Sequence, residues 1–218
     1  VIVSESTDLK KIIDTCTLGA FSYSGQICIH AQRFIVHKSH YANFVKLMRQ
    51  KAEKLVQGDP LKNDTQISVM IDEENAKRVE QWVSEAIKKG AKLICGGKRK
   101  GNFYEATILS NTTKAMKVCS EEVFGPVICI ESYEEDISNA VKFINDTRFG
   151  LQCGVFTDSV SELDYVFRYA KVGGVIHNDV PTLRFDQMPY GGVRDSGLGR
   201  EGVKYAIRDM MEARVLVK

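Results

Sequence analysis

No apolar run in this sequence approaches the ~20 residues that a membrane-crossing helix needs. The start, Val1-Ile2-Val3, has neither a starter methionine nor the layout of a secretory signal. It reads as a chain cut in the middle. Neither sign of charge prevails, with 30 Lys and Arg against 28 Asp and Glu. That balance argues against a nucleic-acid or membrane-surface role, because either usually needs a basic patch. The short cluster Lys98-Arg99-Lys100 lies near glycines and reads as a solvated loop. None of the six cysteines forms a C-x-x-C pair, which speaks against a zinc site and leaves no metal expected. They sit in apolar runs such as Leu93-Ile94-Cys95 and Val127-Ile128-Cys129, as free thiols of a reducing, cytoplasmic compartment would. Internal repeats, low-complexity tracts and interdomain linkers are also missing.

What remains is an ordinary globular composition, 44% apolar and 27% charged over 218 residues, enough for one domain with a substantial core. Val1 to Val3 reads as a buried strand. Thr7 and Asp8 can cap a helix whose apolar positions Leu9, Ile12, Ile13, Cys16 and Ala20 share one face. A strand follows at Phe34 to Val36, then a long amphipathic helix over Tyr41 to Val56 that Gly58-Asp59-Pro60 ends. Residues 72–89 predict a helix, Ala91 to Gly97 a strand and turn, and Phe103 to Leu109 a further strand. A buried strand starts at Val127 to Ile130, and helices at Ile137–Ile144 and Val160–Ala170 alternate with strands at Gln152–Phe156 and Gly174–His177. That alternation predicts an α/β domain, a mostly parallel sheet with helices on both faces. Asn178 to Gly199 has no periodicity, and a loop of that length in a compact domain is usually functional. A helix over Glu201 to Met210 and an end strand over Ala213 to Val217 complete the reading.

Phe21-Ser22-Tyr23-Ser24-Gly25-Gln26-Ile27-Cys28-Ile29-His30-Ala31-Gln32-Arg33 is the stretch on which function turns. A helix-like run enters it, a β-rich run leaves it, and Gly25 and Gln26 break the pattern between them. Cys28 falls at that junction, where a side chain can point into a cleft. A thiol there is a candidate nucleophile, because the thiolate is the reactive species. A small buried hydrophobe is the plainer alternative for a cysteine between two isoleucines.

The pattern F-x-x-x-G-Q-x-C-x-x-x-x-R resembles the active-site signature of the NAD(P)-dependent aldehyde dehydrogenase superfamily. Three more stretches resemble family motifs in the family's order: Glu121-Glu122-Val123-Phe124-Gly125-Pro126-Val127, Asn145 to Leu151, and Pro189-Tyr190-Gly191-Gly192 through Glu201. The resemblance implies oxidation of an aldehyde to an acid, with hydride passing to NAD or NADP. By it Cys28 is the nucleophile, and its backbone N–H is one donor to the oxyanion. Glu122 would hold the nicotinamide ribose hydroxyls, and Phe124 would pack near the nicotinamide. The long loop would line the aldehyde entrance, with Arg184 and Tyr190 touching substrate. Gly25, Gly191 and Gly192 would serve backbone geometry. No G-x-G-x-x-G is read in the sequence, and Gly191-Gly192 is not one. The resemblance also places the general-base glutamate, the asparagine donor, the dinucleotide-binding domain and the oligomerisation arm upstream of Val1. Residues 1–218 would thus be a catalytic domain alone, inactive as a dehydrogenase by itself, from a parent that forms a homodimer or homotetramer.

Arginine at position 184 is informative because its forked donors match a carboxylate or phosphate. A small polar or anionic aldehyde follows: a lactaldehyde, a semialdehyde or a phosphorylated triose. Arg184 paired with Asp186 or another loop acid is the plain alternative. Two other functions stay open here. Cys28, His177 and Asn178 occur in the order of a papain-like cysteine hydrolase, although the pattern that flanks the cysteine in such enzymes is missing. A non-catalytic interaction domain that keeps the fold is the second.

Cys28 is expected to be the thiol most reactive toward alkylation. Substoichiometric iodoacetamide followed by peptide mass mapping should label Cys28 first; preferential labelling of Cys95 or Cys129 would contradict the assignment.

Overall fold

The computed structural model describes residues 1–218. Its first half contains β1 (Ile2–Val3), α1 (Leu9–Phe21), β2 (Arg33–His37), α2 (Lys38–Ala52), α3 (Glu73–Lys88), β3 (Lys92–Cys95), β4 (Arg99–Lys100), β5 (Phe103–Tyr104) and β6 (Thr107–Ser110). The second half continues with α4 (Lys117–Ser120), β7 (Val127–Tyr133), α5 (Ile137–Asn145), β8 (Gln152–Phe156), α6 (Val160–Tyr169), β9 (Gly174–His177) and α7 (Val203–Asp209).

Seven strands make one sheet in the order β3-β6-β7-β2-β1-β8-β9, and β3 alone runs antiparallel to its neighbour. The α/β expectation therefore holds, and so does the near-parallel sheet. Alternate side chains of each strand point to opposite faces. Val3, Phe34, Val36, Ile128 and Ile130 pack with α1 and α2 on one side. Ile2, Ile35 and Val155 pack with α5 and α6 on the other, where Leu109, Val127 and Cys129 meet α3. Covered on both faces, the strands are apolar at consecutive positions rather than alternately, as the sequence shows. Full burial of a side chain such as Phe34 contributes about 1.5–3 kcal/mol.

Helix starts follow local chemistry. Asp8 accepts from the Lys10 amide at 3.0 Å, and Asp72 accepts from the Asn75 amide at 2.7 Å, each satisfying a donor the helix leaves free. All six cysteines are free thiols.

Several boundaries differ from the sequence reading. The second long helix occupies Lys38–Ala52 rather than Tyr41–Val56. The His37 ring sits at its start, its Nδ1 2.7 Å from the Ser39 hydroxyl, and so begins the helix a turn earlier. The stretch Phe103–Leu109 is two strands in two sheets, interrupted at Glu105 and Ala106. The last helix is Val203–Asp209, not Glu201–Met210, with Gly202 at its start. Ala213 to Val217 forms no strand; these residues are exposed and irregular. Their composition suits a strand, but no neighbouring strand offers them amide and carbonyl partners.

The cysteine stretch follows α1 through a 3₁₀ turn, Ser22–Gly25, in which Tyr23, Ser24 and Gly25 have φ of 53°, 56° and 69°. At residue 25 a Cβ would stand 2.0 Å from the Gly125 carbonyl oxygen. Glycine is thus required twice over, for its conformation and for the approach of a second segment. Gly101 has a similar φ, 61°, with open space around it. Gly25→Ala should therefore cost more stability than Gly101→Ala. A left-handed alanine alone costs about 1–2 kcal/mol, and the clash adds to it at position 25. Urea titrations of both variants read the difference, and equal losses would show that the segments can part cheaply.

Candidate active site

A cleft of about 370 Å³ lies at the amino ends of β1, β2 and β8, where Val1, Arg33 and Gln152 line it together with Cys28, Glu121 and Glu122. Open parallel sheets commonly use their carboxyl ends for ligands; here the opposite end is hollow. The reason is local. The connections leading into β2, β7 and β8 are three of the four motif-bearing segments, and each ends where its strand begins.

Cys28 is exposed, within the turn between the 3₁₀ segment and β2. Hydrogen bonds to the segment at 68–71 hold its approach. The Ser24 hydroxyl donates to the Ser68 carbonyl and accepts from the Ser68 amide, at 3.1 and 3.0 Å. The Gln26 amide oxygen accepts from the Ile71 amide at 2.8 Å. The Cys28 thiol lies 2.9 Å from the Tyr190 hydroxyl. Burial pushes the Tyr190 phenol upward, further raised by its bond to Cys28, so the phenol keeps its proton. His30 is close in sequence but is not a base for the thiol. Burial pushes its imidazole down to about 4, and its Nε2 is paired with the Ala20 carbonyl at 2.7 Å.

Tyr190 belongs to the long loop. Its backbone exchanges two hydrogen bonds with Glu201, at 3.2 and 2.6 Å, which pins the ring over the cysteine turn. The Arg184 guanidinium stacks on that ring, 4.3 Å from its centroid, and lies 3.5 Å from the Glu201 carboxylate. The loop acid that pairs with Arg184 is thus Glu201 rather than Asp186. Three sequence-derived candidates, Cys28, Tyr190 and Arg184, accordingly form one contiguous group.

Glu122 is exposed and faces the same cleft as Cys28. Its neighbour Glu121 pairs with Arg148 at 2.6 Å, and Arg148 reaches Asp195 at 3.3 Å. Phe124, two residues on, does not line the cleft. It adopts φ of 48° and is 40% exposed. His177 and Asn178 stand at the far, carboxyl end of the sheet. His177 Nε2 is paired with the Thr157 carbonyl at 3.0 Å, and the Asn178 amide oxygen accepts from the Thr157 amide at 3.1 Å. The cysteine–histidine arrangement of a papain-like hydrolase is not formed. No three His, Cys, Asp or Glu side chains converge as a metal site requires.

Two residues escaped the sequence reading. Cys119 also lines the cleft, with its thiol 3.0 Å from the Thr112 hydroxyl. Its hydrogen bond with the Cys129 thiol draws it below the ordinary thiol range, against the effect of burial. Cys119 thus shares the cleft wall with Cys28 and the buried Cys153. Gln32, at the entry to β2, bridges to the segment that carries Glu122. Neither has a signal in a single sequence, because each matters through what folds against it. Contrary to the expectation that the sequence holds no G-x-G-x-x-G, the glycines of Gly197-Leu198-Gly199-Arg200-Glu201-Gly202 have that spacing. They follow a 3₁₀ turn at Arg194–Ser196 and not a strand, so they build no strand-to-helix phosphate cradle.

Comparison with known proteins bears on this arrangement. The model of the aldehyde dehydrogenase family matches residues 1–216. A 3-sulfolactaldehyde dehydrogenase of Priestia aryabhattai is 46% identical over 216 residues, 99% of this chain and 45% of that protein. A lactaldehyde dehydrogenase of Methanococcus aeolicus is 37% identical over 217 residues, 100% of this chain and 46% of that one. The crystal structure of aldehyde dehydrogenase 21 from Physcomitrella patens, in complex with the reaction product succinate, superimposes with a TM-score of 0.96 at 44% identity. That match covers 100% of this chain and 45% of the moss protein. A glyceraldehyde-3-phosphate dehydrogenase, GapN, from Methanocaldococcus jannaschii complexed with NADP gives a TM-score of 0.92 at 37% identity, over 96% of this chain and 45% of its own. The chain thus spans less than half the length of the relatives it matches, and within that span sequence, fold and motif order agree: it belongs to the aldehyde dehydrogenase family.

Proposed function

We propose that residues 1–218 are the catalytic domain of an NAD(P)-dependent aldehyde dehydrogenase that oxidises a small polar or anionic aldehyde to the acid. The observation that carries this reading is the shared cleft, with the Cys28 thiol and the Glu122 carboxylate opening into one space. Free thiols throughout the chain support a reducing compartment, hence the cytoplasm, and the reading includes a homo-oligomeric parent.

In this reading the Cys28 thiolate attacks the aldehyde carbon, and the carbonyl pair moves to oxygen to give a thiohemiacetal oxyanion. The Cys28 backbone N–H stabilises that charge. Bound NAD(P) supplies the hydride acceptor. Loss of hydride leaves a thioester on Cys28, which water cleaves to the acid and the free thiol. Glu122 suits the nicotinamide ribose because an exposed carboxylate accepts from both hydroxyls of a diol. The Tyr190 hydroxyl keeps its proton and is placed to donate to the thiolate. That contact aims the sulfur.

Arg184 supports an anionic or hydroxylated substrate. The phenol ring beneath it ends in the hydroxyl that meets Cys28, so the guanidinium stands one ring from the nucleophile. The relatives named for sulfolactaldehyde and lactaldehyde, and the succinate bound to the moss enzyme, are consistent with this chemistry. Phe124 is retained as a candidate nicotinamide contact.

In the natural full-length protein, Arg184→Leu should lower kcat/KM for an anionic aldehyde roughly ten- to a hundredfold, the loss of a charge-assisted bond of ~1.5–3 kcal/mol. A neutral aldehyde of similar size should change little. Equal losses on both would assign Arg184 to holding the loop through Glu201. Tyr190→Phe removes one hydrogen bond, worth about 0.5–1.5 kcal/mol net. It should slow Cys28 alkylation by roughly two- to tenfold. An unchanged alkylation rate would show that the hydroxyl does not aim the sulfur.

A further inference from the structure

We infer that Gln32 is a positioning residue: it fixes the Glu122-bearing segment relative to Cys28 and so governs coenzyme binding without touching coenzyme. The inference rests on the role proposed for Glu122. Gln32 is four residues after Cys28, at the last position before β2. Its side chain crosses to the segment that leads into β7 and uses its whole amide there. The amide nitrogen donates to the Val118 carbonyl at 3.0 Å and to the Glu121 carbonyl at 2.8 Å. The amide oxygen accepts from the Val123 amide at 3.0 Å. These contacts bracket Glu122 in sequence, one on the residue before it and one on the residue after. A primary amide is the side chain that can both donate to two carbonyls and accept from an N–H in one plane.

The backbone around Gln32 leaves the clamp little play. The Cys129 amide donates to the Gln32 carbonyl at 2.9 Å, and Arg33 then pairs in register with Cys129. The base of the clamp is thus part of the sheet. On the far side, the Arg78 guanidinium donates to the Val123 carbonyl at 2.8 Å, and its charge faces Glu122. Gln32 accordingly meets both peptide groups that flank Glu122, while Glu122 itself is exposed to the cleft. Loss of the amide frees the Glu121 carbonyl and the Val123 N–H, and leaves the Val118 carbonyl only the Cys129 thiol at 3.5 Å. They can be satisfied only by water or by a shift of the segment, and either lets the Glu122 carboxylate wander from the place where a ribose diol would meet it.

The test uses the natural full-length protein with two substitutions at one position. Gln32→Met keeps the length of the side chain and removes every hydrogen bond. Gln32→Glu keeps the shape but turns a carboxylate oxygen toward two carbonyls. Constants are expressed per alkylatable Cys28, so a misfolded fraction does not enter them. Both variants should raise the coenzyme KM about tenfold or more, with the iodoacetamide rate at Cys28, measured without coenzyme, within twofold of the natural protein. Because Gln32 acts through Glu122, the double variant Gln32→Met with Glu122→Gln should be no worse for coenzyme than the more damaging single change. A lowered melting temperature with unchanged constants per site would overturn the inference and leave Gln32 a merely stabilising residue. Multiplying effects in the double variant would overturn it as well, since the two residues would then act separately. If Glu122→Gln alone leaves coenzyme use unchanged, the reading of Glu122 fails and the inference falls with it. If Glu122→Gln weakens coenzyme and neither Gln32 variant does, the clamp alone is wrong.

Discussion

The contact between Gly25 and Gly125 sets the geometry of the cleft more than any side chain does. Two segments far apart in sequence approach until a single Cβ at residue 25 would overlap a carbonyl oxygen at 2.0 Å. One carries the thiol and the other the exposed glutamate. With the backbones in contact, the distance between the two functional groups is set by the sheet beneath them, because β2 and β7 continue directly from these segments and pair in register. Gln32 reinforces the same junction with an amide, and the Tyr190 hydroxyl meets the thiol from a third direction. A reactive group held from several sides has few alternative rotamers, and such preorganisation is what an addition to a carbonyl demands.

Much of the fold was legible because its signals are local. Asp8 and Asp72 sit where a cap is needed, and the apolar positions of α1 repeat at the helical period. Consecutive apolar residues in the central strands announce burial on both faces, which is why a parallel sheet could be read without a partner in view. Where a signal depended on distant partners, the reading slipped. Ala213 to Val217 has a strand's composition and no neighbour to pair with. Phe103 to Leu109 is continuous in composition but divided between two sheets by the break at Glu105 and Ala106. His37, the last residue of β2 and outside the strand read from the sequence, also starts the next helix through its ring.

The candidate site divides in the same way. Cys28 and Glu122 stood out because each lies within a recognisable run of residues, and both face the cleft. Arg184 and Tyr190 were marked by the loop that bears them, yet their stacking and the phenol's approach to the thiol arise only from folding. Cys119 and Gln32 had no local signal at all. A half-buried thiol drawn down by a second thiol and an amide spent wholly on backbone are properties of an environment, not of a residue type.

The order of strands in the sheet has a consequence for how the molecule is made. Strands β1 and β2, at the centre, leave the ribosome before the strands that flank them. Their outer neighbours are β8 and β7, so Ile2 waits for Val155 and Arg33 for Cys129. At a synthesis rate of ~5–20 residues per second, several seconds pass with the most apolar strands paired only to each other. Contacts of such separation also slow folding, because loop closure is costly before they form. Throughout that interval the cysteine turn has been made and Tyr190 has not. The nascent protein therefore presents the exposed Cys28 sulfur before Tyr190 can aim it, and a loop synthesised some 162 residues later is the one that brings the thiol under control.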